Sequence, residues 1–230
     1  MSIGNSGKSS HFSQITSHIW VIHGSDKARF PSGNSVFIKT AHHSVLIDTN
    51  PGFDLINQAI GEITNQTAQN LTDILLSHTH LDHGRGLSAT FELSNANICA
   101  HEDTLQRCES KRKIGLFAGI PKKKIPYFEE FGNSLGFQDR HYPASSKIKI
   151  SNGDVLEFDN VKIQAHETSG HCPHMLDYEI IDGSTRIILS CDYDFSPMPW
   201  YGAPQRGSSI DLFLKGTSEI INRNPDYIIS

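Results

Sequence analysis

The amino-acid sequence predicts an α+β domain that is built on two sheets. Short β-branched and aromatic runs alternate with Gly, Pro and polar turns in residues 18–48, and similar runs return in residues 147–190. A stretch with helical patterns separates these two groups. The chain has 230 residues, enough for one sizeable core, so we expect residues 12–230 to fold as one domain. Residues 1–11 are rich in Ser and Gly and are expected to form a flexible tail.

The first group of strands is predicted to be an antiparallel meander with runs at residues 18–23, 34–38 and 44–48. Apolar residues then recur at near-helical spacing, which predicts a helix over residues 53–64 that covers the sheet. The remaining elements of this half are a buried strand at residues 71–76, a helix that ends near Leu93 and a strand at residues 98–101.

A different pattern occupies the middle of the chain. Residues 102–112 are predicted to be helical, and residues 114–137 carry apolar side chains among glycines, prolines and lysines. This second segment is too apolar for a linker, so we interpret it as a helical or irregular insertion. Two roles are equally compatible with the insertion: a helix packed on the core, or a lid or substrate wall.

The second group of strands is predicted to form a sheet of its own. It begins with runs at residues 147–150, 155–158 and 161–165, which polar turns separate. Two further strands flank the Asp182-Gly183 turn. An amphipathic helix over residues 208–221 and a last strand at residues 225–230 complete the predicted domain.

Composition restricts the classes of function. The formal net charge of −5 argues against a general nucleic-acid binder, and we interpret the basic clusters at residues 111–113 and 122–124 as solvated faces. No apolar run is long enough to cross a bilayer. The four cysteines form no Cys-x-x-Cys pair and the chain starts without a secretion signal, so we expect reduced thiols and a cytoplasmic location. We therefore expect a small-molecule substrate and neither a nucleic-acid nor a membrane partner.

Ligand-type side chains are concentrated directly after the predicted strand at residues 71–76. The motif loop, His78-Thr79-His80-Leu81-Asp82-His83, places three imidazoles and one carboxylate in six positions. If the strand stays extended through His78 and His80, both rings lie on one side, and a turn returns Asp82 and His83 beside them. Four convergent donors favour a metal site over chance surface histidines. Imidazole and carboxylate ligands suit Zn²⁺, and Mn or Fe also occupies such sites.

Two later positions complete a recognisable order of motifs. The motif loop is followed by a Gly170-His171 loop and by Asp192 at the end of a predicted strand. In this order of motifs the chain resembles the metallo-β-lactamase superfamily of metallohydrolases over nearly all of residues 12–230. The resemblance implies a four-layer αββα sandwich with the site along one edge, between the two sheets.

The resemblance also implies a set of ligands for two metal ions. Three histidines would hold the first ion: His78, His80 and His171. The second ion would be held by Asp82 and His83, with Asp192 bridging the two ions. Asp48, after the third strand, would support the site without binding metal.

The chemistry of two metals agrees with that ligand set. Two divalent ions about 3.5–4 Å apart share a water and lower its pKa, which yields a hydroxide nucleophile without a nucleophilic side chain. Asp82 is the expected catalytic residue because it can bind the second ion and orient the bridging hydroxide. We predict a binuclear Zn²⁺-dependent hydrolase of ester, thioester or lactone bonds. The alternatives are a β-lactam or phosphodiester hydrolase, a single-iron persulfide dioxygenase, and a metal-binding scaffold without turnover.

Some positions lie outside the family pattern. His174 follows His171 by three residues and is open to three roles: support of the ligands, substrate contact or plain loop residue. We predict that it binds substrate together with Trp200 and Tyr201, which follow Asp192 closely. The family places a final histidine on the second metal, whereas this sequence ends at Ser230. We therefore expect the natural protein to continue beyond Ser230.

Overall fold

The structure, a computed structural model, describes residues 11–28, 30–193 and 207–230. The strands within these ranges form two sheets, with seven strands in the order β1 to β7 and five in the order β12-β11-β10-β9-β8. The strands are β1 (Phe12–Gln14), β2 (Ile19–Ile22), β3 (Ser35–Lys39), β4 (Ser44–Ile47), β5 (Asp73–Leu75), β6 (Asn97–Ala100), β7 (Lys147–Lys149), β8 (Val155–Phe158), β9 (Val161–Glu167), β10 (Leu176–Asp182), β11 (Thr185–Leu189) and β12 (Tyr227–Ile229). The α-helices are α1 (Ser25–Ala28), α2 (Phe53–Thr64), α3 (Leu87–Ser94), α4 (Glu102–Arg107), α5 (Lys111–Phe117), α6 (Ile125–Ser134) and α7 (Ile210–Asn222).

The first sheet is antiparallel on one side and parallel on the other. Strands β2 to β4 form the predicted antiparallel meander, and β1, which was not predicted, extends it at the edge. Strands β4 to β7 pair in parallel. Parallel neighbours require crossover connections, which α2, α3 and the helices α4 to α6 supply. As a result, β4, β5 and β6 all end at one edge of the sheet. Ligand sites of α/β sheets commonly lie at such an edge.

The position of β7 corrects the predicted division of the strands. We expected residues 147–150 to open the second sheet, but β7 pairs in parallel with β6, with Ile98 opposite Lys147. The second sheet therefore begins with β8. The physical reason is that the insertion acts as the crossover from β6 to β7, and local alternation does not specify which sheet a strand joins.

The helices occupy the predicted segments, except that one predicted helix is two separate helices. Helix α2 has the predicted bounds, but the helix expected over residues 102–112 is two helices, α4 and α5, with Ser110 in an extended conformation between them. The insertion packs on the motif loop, because Leu81 belongs to a small buried cluster with Ile114, Leu135 and Phe137. No helix in the described ranges combines the length and the apolar character that a membrane span requires.

Two hydrophobic cores hold the layers together. The core between the sheets contains side chains from both of them, among them Ile38, Val45, Ile47, Ile163, Tyr178 and Ile180. The other face of the first sheet packs against helices through Leu46, Ile74, Ile56, Ile60 and Phe91. On the far side of the second sheet, Arg223 at the end of α7 donates to both oxygens of the buried Asp177, at 2.7 and 2.8 Å. This order of layers confirms the predicted four-layer αββα sandwich.

Helix α7 approaches the second sheet closely at Gly216. A Cβ added there would lie 2.2 Å from Tyr193 Oη and 2.6 Å from Tyr193 Cζ. Tyr193 is fully buried and its ring stacks on Phe213, with centroids 4.5 Å apart, so the ring has little freedom to move. Alanine in a helix interior is favoured over glycine by about 1 kcal/mol, but overpacking costs typically 1–3 kcal/mol. We expect Gly216→Ala to lower the free energy of unfolding by roughly 1–2 kcal/mol in urea denaturation.

Gly61 in α2 provides the matched control. A Cβ added at Gly61 would meet Gln66 O at 3.5 Å, which is an ordinary contact. Gly61→Ala should therefore raise the free energy of unfolding by about 0.5–1 kcal/mol. Equal stabilisation by both substitutions would contradict the packing of α7 on Tyr193.

Candidate metal centre

Asp48, the first residue after β4, holds the start of the motif loop. Its Oδ1 accepts a hydrogen bond from Ser77 N at 2.8 Å, and its Oδ2 accepts from Ser77 Oγ at 2.6 Å and from His83 Nδ1 at 2.9 Å. The carboxylate is buried, and the backbone of Asp48 adopts a φ of +58°, which Asp tolerates better than most residues. Both ends of the motif loop are thus tied to one side chain of the neighbouring strand.

The same network selects the tautomers of two histidines. Since Ser77 Oγ donates its proton to Asp48, it can accept from Nδ1 of His78, which lies 3.0 Å away. His78 then carries its proton on Nδ1 and presents the lone pair of Nε2. His83 donates from Nδ1 to Asp48 and likewise presents Nε2. A hydrogen bond at the other ring nitrogen is the usual way in which proteins orient a metal-binding histidine.

The backbone of His83 is held separately. Thr49 Oγ1 donates to His83 O at 2.7 Å, and Thr49 N donates to the same oxygen at 3.0 Å. Asn50 Nδ2 lies 3.4 Å from His83 Nε2. The residues that follow β4 therefore position the whole of His83.

Four donors meet at the edge between the sheets. His78, His80, His171 and Asp192 each offer a ligand atom, and these atoms lie within 4.8 Å of one another. Asp192 Oδ2 is 2.8 Å from His171 Nε2, 3.5 Å from His78 Nε2 and 3.8 Å from His80 Nδ1. His171 Nε2 and His80 Nδ1 are 2.8 Å apart. The structure thus brings His78 and His80 of the motif loop together with His171 and Asp192.

The other oxygen of Asp192 faces the remaining predicted ligands. Asp192 Oδ1 lies 3.0 Å from His83 Nε2, and Asp82 Oδ2 lies 3.8 Å from the same nitrogen. Asp82 and His83 are therefore beside the four-donor group, on the Oδ1 side of Asp192. Six predicted ligands form two groups with one carboxylate between them.

The electrostatics of the site favour a neutral His78 and an ionised Asp192, the forms that bind cations, whereas they favour the protonated form of His83. Burial, together with the neighbouring His83 and His80, holds the pKa of His78 well below its ordinary value, so its imidazole is neutral. Burial opposes a charge on His83, but the carboxylates of Asp192, Asp48 and Asp82 outweigh it and raise the pKa of His83. Desolvation of Asp192 is likewise outweighed, by His83 and by a hydrogen bond from His171, so the pKa of Asp192 is well below its ordinary value.

The donor set fits a divalent transition-metal ion. Three imidazoles and one carboxylate at a single point are a common zinc environment. His78 Nε2 is buried and has no hydrogen-bond partner among the described residues, although it points at Asp192. A buried nitrogen with an unused lone pair is unfavourable unless another partner satisfies it, and a cation at this point would do so.

Of the three predicted substrate residues, only His174 lies in the part of the chain that the structure describes. His174 is not part of the four-donor group; it contacts Glu167 and Asp103 and stacks on His101. Trp200 and Tyr201 fall outside the residues that the structure describes. Their predicted contact with substrate stays a prediction.

Ser77, Thr49 and Asn50 are site residues that sequence reasoning did not identify. Ser77 belongs to the motif region and Thr49 and Asn50 follow Asp48 directly, so adjacency to ligand-bearing positions was the available signal. The pairing of β4 with β5 explains why these residues meet the motif loop, and that pairing is a tertiary property.

We expect Asp48→Asn to weaken metal binding because the amide no longer accepts from both Ser77 and His83. Loss of such a supporting group typically lowers metal affinity by about 10- to 100-fold. Zn²⁺ affinity should be measured by competition with a chromophoric chelator.

Asp159→Asn is the matched control for this substitution. Asp159 also has a positive φ, +55°, and accepts from a backbone N–H and an imidazole Nδ1, both of His42. It lies at the opposite end of the domain, in the turn between β8 and β9. Equal losses of Zn²⁺ affinity in the two variants would show that Asp48 acts through global stability alone.

Comparisons with known proteins identify the family and the fold of the chain. The family model described as the metallo-beta-lactamase superfamily matches residues 28–219. The exodeoxyribonuclease WalJ of Streptococcus pneumoniae is 30% identical over 108 residues, which are 47% of this chain and 38% of that relative. The chain thus matches well under half of that relative's length.

Solved structures of low sequence identity share the fold. BJP-1, a subclass B3 metallo-β-lactamase of Bradyrhizobium japonicum, superposes with a TM-score of 0.68 at 19% identity, over 95% of this chain and 76% of BJP-1. A Cronobacter sakazakii metallo-β-lactamase with a HARLDQ motif gives 0.65 at 16% identity, over 95% and 76%. The match of the family model, over the region that holds all six candidate ligands, shows that the chain belongs to the metallo-β-lactamase superfamily.

Proposed function

We propose that the chain is a binuclear metal-dependent hydrolase that cleaves an ester, thioester or lactone bond of a small molecule. The observation that carries this proposal is the position of Asp192. Its Oδ2 faces the histidines at 78, 80 and 171, whereas its Oδ1 faces His83. A carboxylate with one oxygen toward each group is suited to bridge two ions, which in the proposal are two Zn²⁺.

Water is the nucleophile that the site favours. The hydroxyl of Ser77 is engaged between Asp48 and His78, so it is not directed toward a substrate. Cys172 and Cys191 are buried, and burial raises the pKa of both thiols, which disfavours the reactive thiolate.

The side chains would divide the chemistry between them. Divalent ions bound at this centre would supply Lewis acidity and would lower the pKa of a bound water. Asp82 has a side chain that is 17% exposed, so it can contact a water that enters from solvent and accept its proton. The network of Asp48 and Ser77 holds the imidazoles in place, so little reorganisation is needed during reaction.

Cleavage of a phosphodiester is the second candidate function. One specific observation favours it: the matched relative in S. pneumoniae is an exodeoxyribonuclease. The basic residues Lys122, Lys123 and Lys124 are also exposed on the insertion. Our expectation that the chain has no nucleic-acid partner therefore remains open to experiment.

Turnover of a substrate panel tests the proposal directly. The panel should contain thioesters, lactones, phosphodiesters, single-stranded DNA and a chromogenic β-lactam, and the metal content of the protein should be measured in parallel. We expect two metal ions per chain and turnover of a thioester or lactone. A single iron per chain would favour the dioxygenase alternative instead, and DNA cleavage without ester turnover would favour the nuclease.

We expect Asp192→Ala to abolish turnover and to lower the occupancy of both metals, because it is the one proposed ligand that the two groups share. Asp182→Ala is the matched control, since Asp182 pairs with His18 at 3.0 Å at the opposite end of the second sheet. Metal content by elemental analysis should fall only in the first variant. Two metals per chain and full activity in Asp192→Ala would refute the bridging assignment.

Asp82→Ala should separate catalysis from binding of the first ion. The three histidines that face Asp192 Oδ2 remain, so that ion should stay bound, while activity falls by about 100-fold or more because a general base is lost. Metal content and kcat should be measured on the same preparation. Loss of both ions would show that Asp82 organises the whole motif loop.

A further inference from the structure

The loop that carries His171, residues 168–175, is fixed on one side by the first turn of α7. A Cβ added at Gly170 would lie 2.5 Å from Phe213 N, so the loop backbone is in close contact with the helix. Ser209 N donates to Gly170 O at 2.9 Å, and Ser208 Oγ donates to His171 O at 2.7 Å. We call this segment the His171 loop.

Besides the hydrogen bonds that Tyr193 Oη donates to Thr168 O and Ser169 O, at 3.3 and 3.2 Å, the His171 loop is held by the side chain of His174. Its Nδ1 lies 2.9 Å from Glu167 Oε1, and its Nε2 lies 3.3 Å from Asp103 Oδ2. Glu167 ends β9 in the second sheet, whereas Asp103 lies in the first turn of α4, which follows β6 of the first sheet. His174 therefore connects the loop to an element of each sheet.

His101 completes the cluster by stacking. Its ring is parallel to that of His174, with an interplanar angle of 6° and centroids 4.5 Å apart. His101 Nδ1 accepts from Asp103 N at 3.2 Å and caps α4. Burial and the neighbouring His174 lower the pKa of His101, which favours the neutral form that can accept this hydrogen bond.

Three of these residues, His101, Asp103 and His174, have ligand atoms within 4.8 Å of one another, but their stacking and hydrogen bonds favour another description than a metal site. Parallel rings project their lone pairs side by side rather than toward one point, and Nδ1 of His101 is already engaged by the helix. Both carboxylates are paired with His174. The cluster is therefore better described as an anchor than as a second metal site.

The backbone of His174 supports this description. Its φ is +59°, a left-handed conformation that only a few per cent of non-glycine residues adopt, with Asn, Asp and His more frequent there than the rest. Such a conformation persists where surrounding contacts over-determine it. At His174 the contacts in question are the two carboxylates and the stacked ring.

We propose that His174 is a positioning residue that anchors the His171 loop and thereby sets the affinity of the first metal. The proposal rests on the proposed function, in which His171 binds that ion. His171 comes from the second sheet, whereas His78 and His80 come from the first, so the loop must be placed accurately for the three rings to converge. With α7 on one side and His174 on the other, the loop has an anchor at both ends of its turn.

The glycine variant His174→Gly isolates the side chain from the backbone. Glycine adopts a positive φ without strain, so the loop conformation itself remains accessible. We expect the dissociation constant of the first Zn²⁺ to rise by about 10-fold, as for loss of other groups that orient ligands. The absorption spectrum of the Co²⁺-substituted protein should change as well, because the coordination of His171 is altered.

Two further variants keep the test independent of folding. Asp103→Asn keeps the size of the side chain and removes one carboxylate charge from His174, so it should weaken binding of the first Zn²⁺ in the same direction. The double variant should be no weaker than His174→Gly alone, since both act through one contact. His141→Ala is the matched control, because His141 is 84% exposed and pairs with Glu109 at 3.0 Å on the surface. It should bind Zn²⁺ like the wild type.

The outcomes distinguish this inference from the proposed function. Wild-type protein that binds no metal would overturn both the proposed function and the anchoring role of His174. A wild type that binds metal, together with His174→Gly that binds it equally tightly, would overturn only the anchor. The anchor is also overturned if His174→Gly raises KM alone, which would make His174 a substrate contact. The anchor is overturned as well if His174→Gly binds one ion fewer than the wild type while the dissociation constant of the first Zn²⁺ is unchanged. That result would make the cluster around His174 and His101 a metal site.

Discussion

The buried carboxylate of Asp48 is the constraint on which the candidate metal centre depends. It accepts from Ser77 N, Ser77 Oγ and His83 Nδ1, so a single anion fixes both ends of the motif loop. Ser77 Oγ donates to this carboxylate and lies 3.0 Å from His78 Nδ1, so the same anion also determines which nitrogen of His78 faces the centre. A buried carboxylate is stable here because each of its oxygens is hydrogen-bonded.

The topology of the two sheets explains why distant segments meet at this anion. Strands β4 and β5 are parallel, so Asp48 and the motif loop leave the sheet at the same edge. The second sheet is joined to that edge by Leu176 N, which donates to Ser77 O at 3.0 Å, and by Tyr178 Oη, which donates to Leu76 O at 2.9 Å. These bonds place the His171 loop and the end of β11 opposite the motif loop.

The insertion also supports the motif loop. One side of it packs on Leu81 through Ile114, Leu135 and Phe137, so the motif loop is covered from outside the sheets. Its other side leaves Phe131 stacked on Phe30, with centroids 6.4 Å apart, and both rings are exposed. Core packing is thus observed for the insertion, and its predicted role as a substrate wall stays a prediction for the exposed side.

The sequence by itself indicated most strands and helices and the ligand-rich motif loop, because these depend on local spacing: alternation in strands, helical periodicity and six neighbouring positions. Its resemblance to a known family implied the four-layer fold and the remaining candidate ligands. Only the tertiary structure decided that β7 joins the first sheet, that the oxygens of Asp192 face two different groups of imidazoles, and that His174 lies between Glu167 and Asp103. The physical reason is the same in each case. Strand partners and side-chain contacts between residues far apart in sequence depend on how crossovers and sheets pack, and no local pattern specifies that packing.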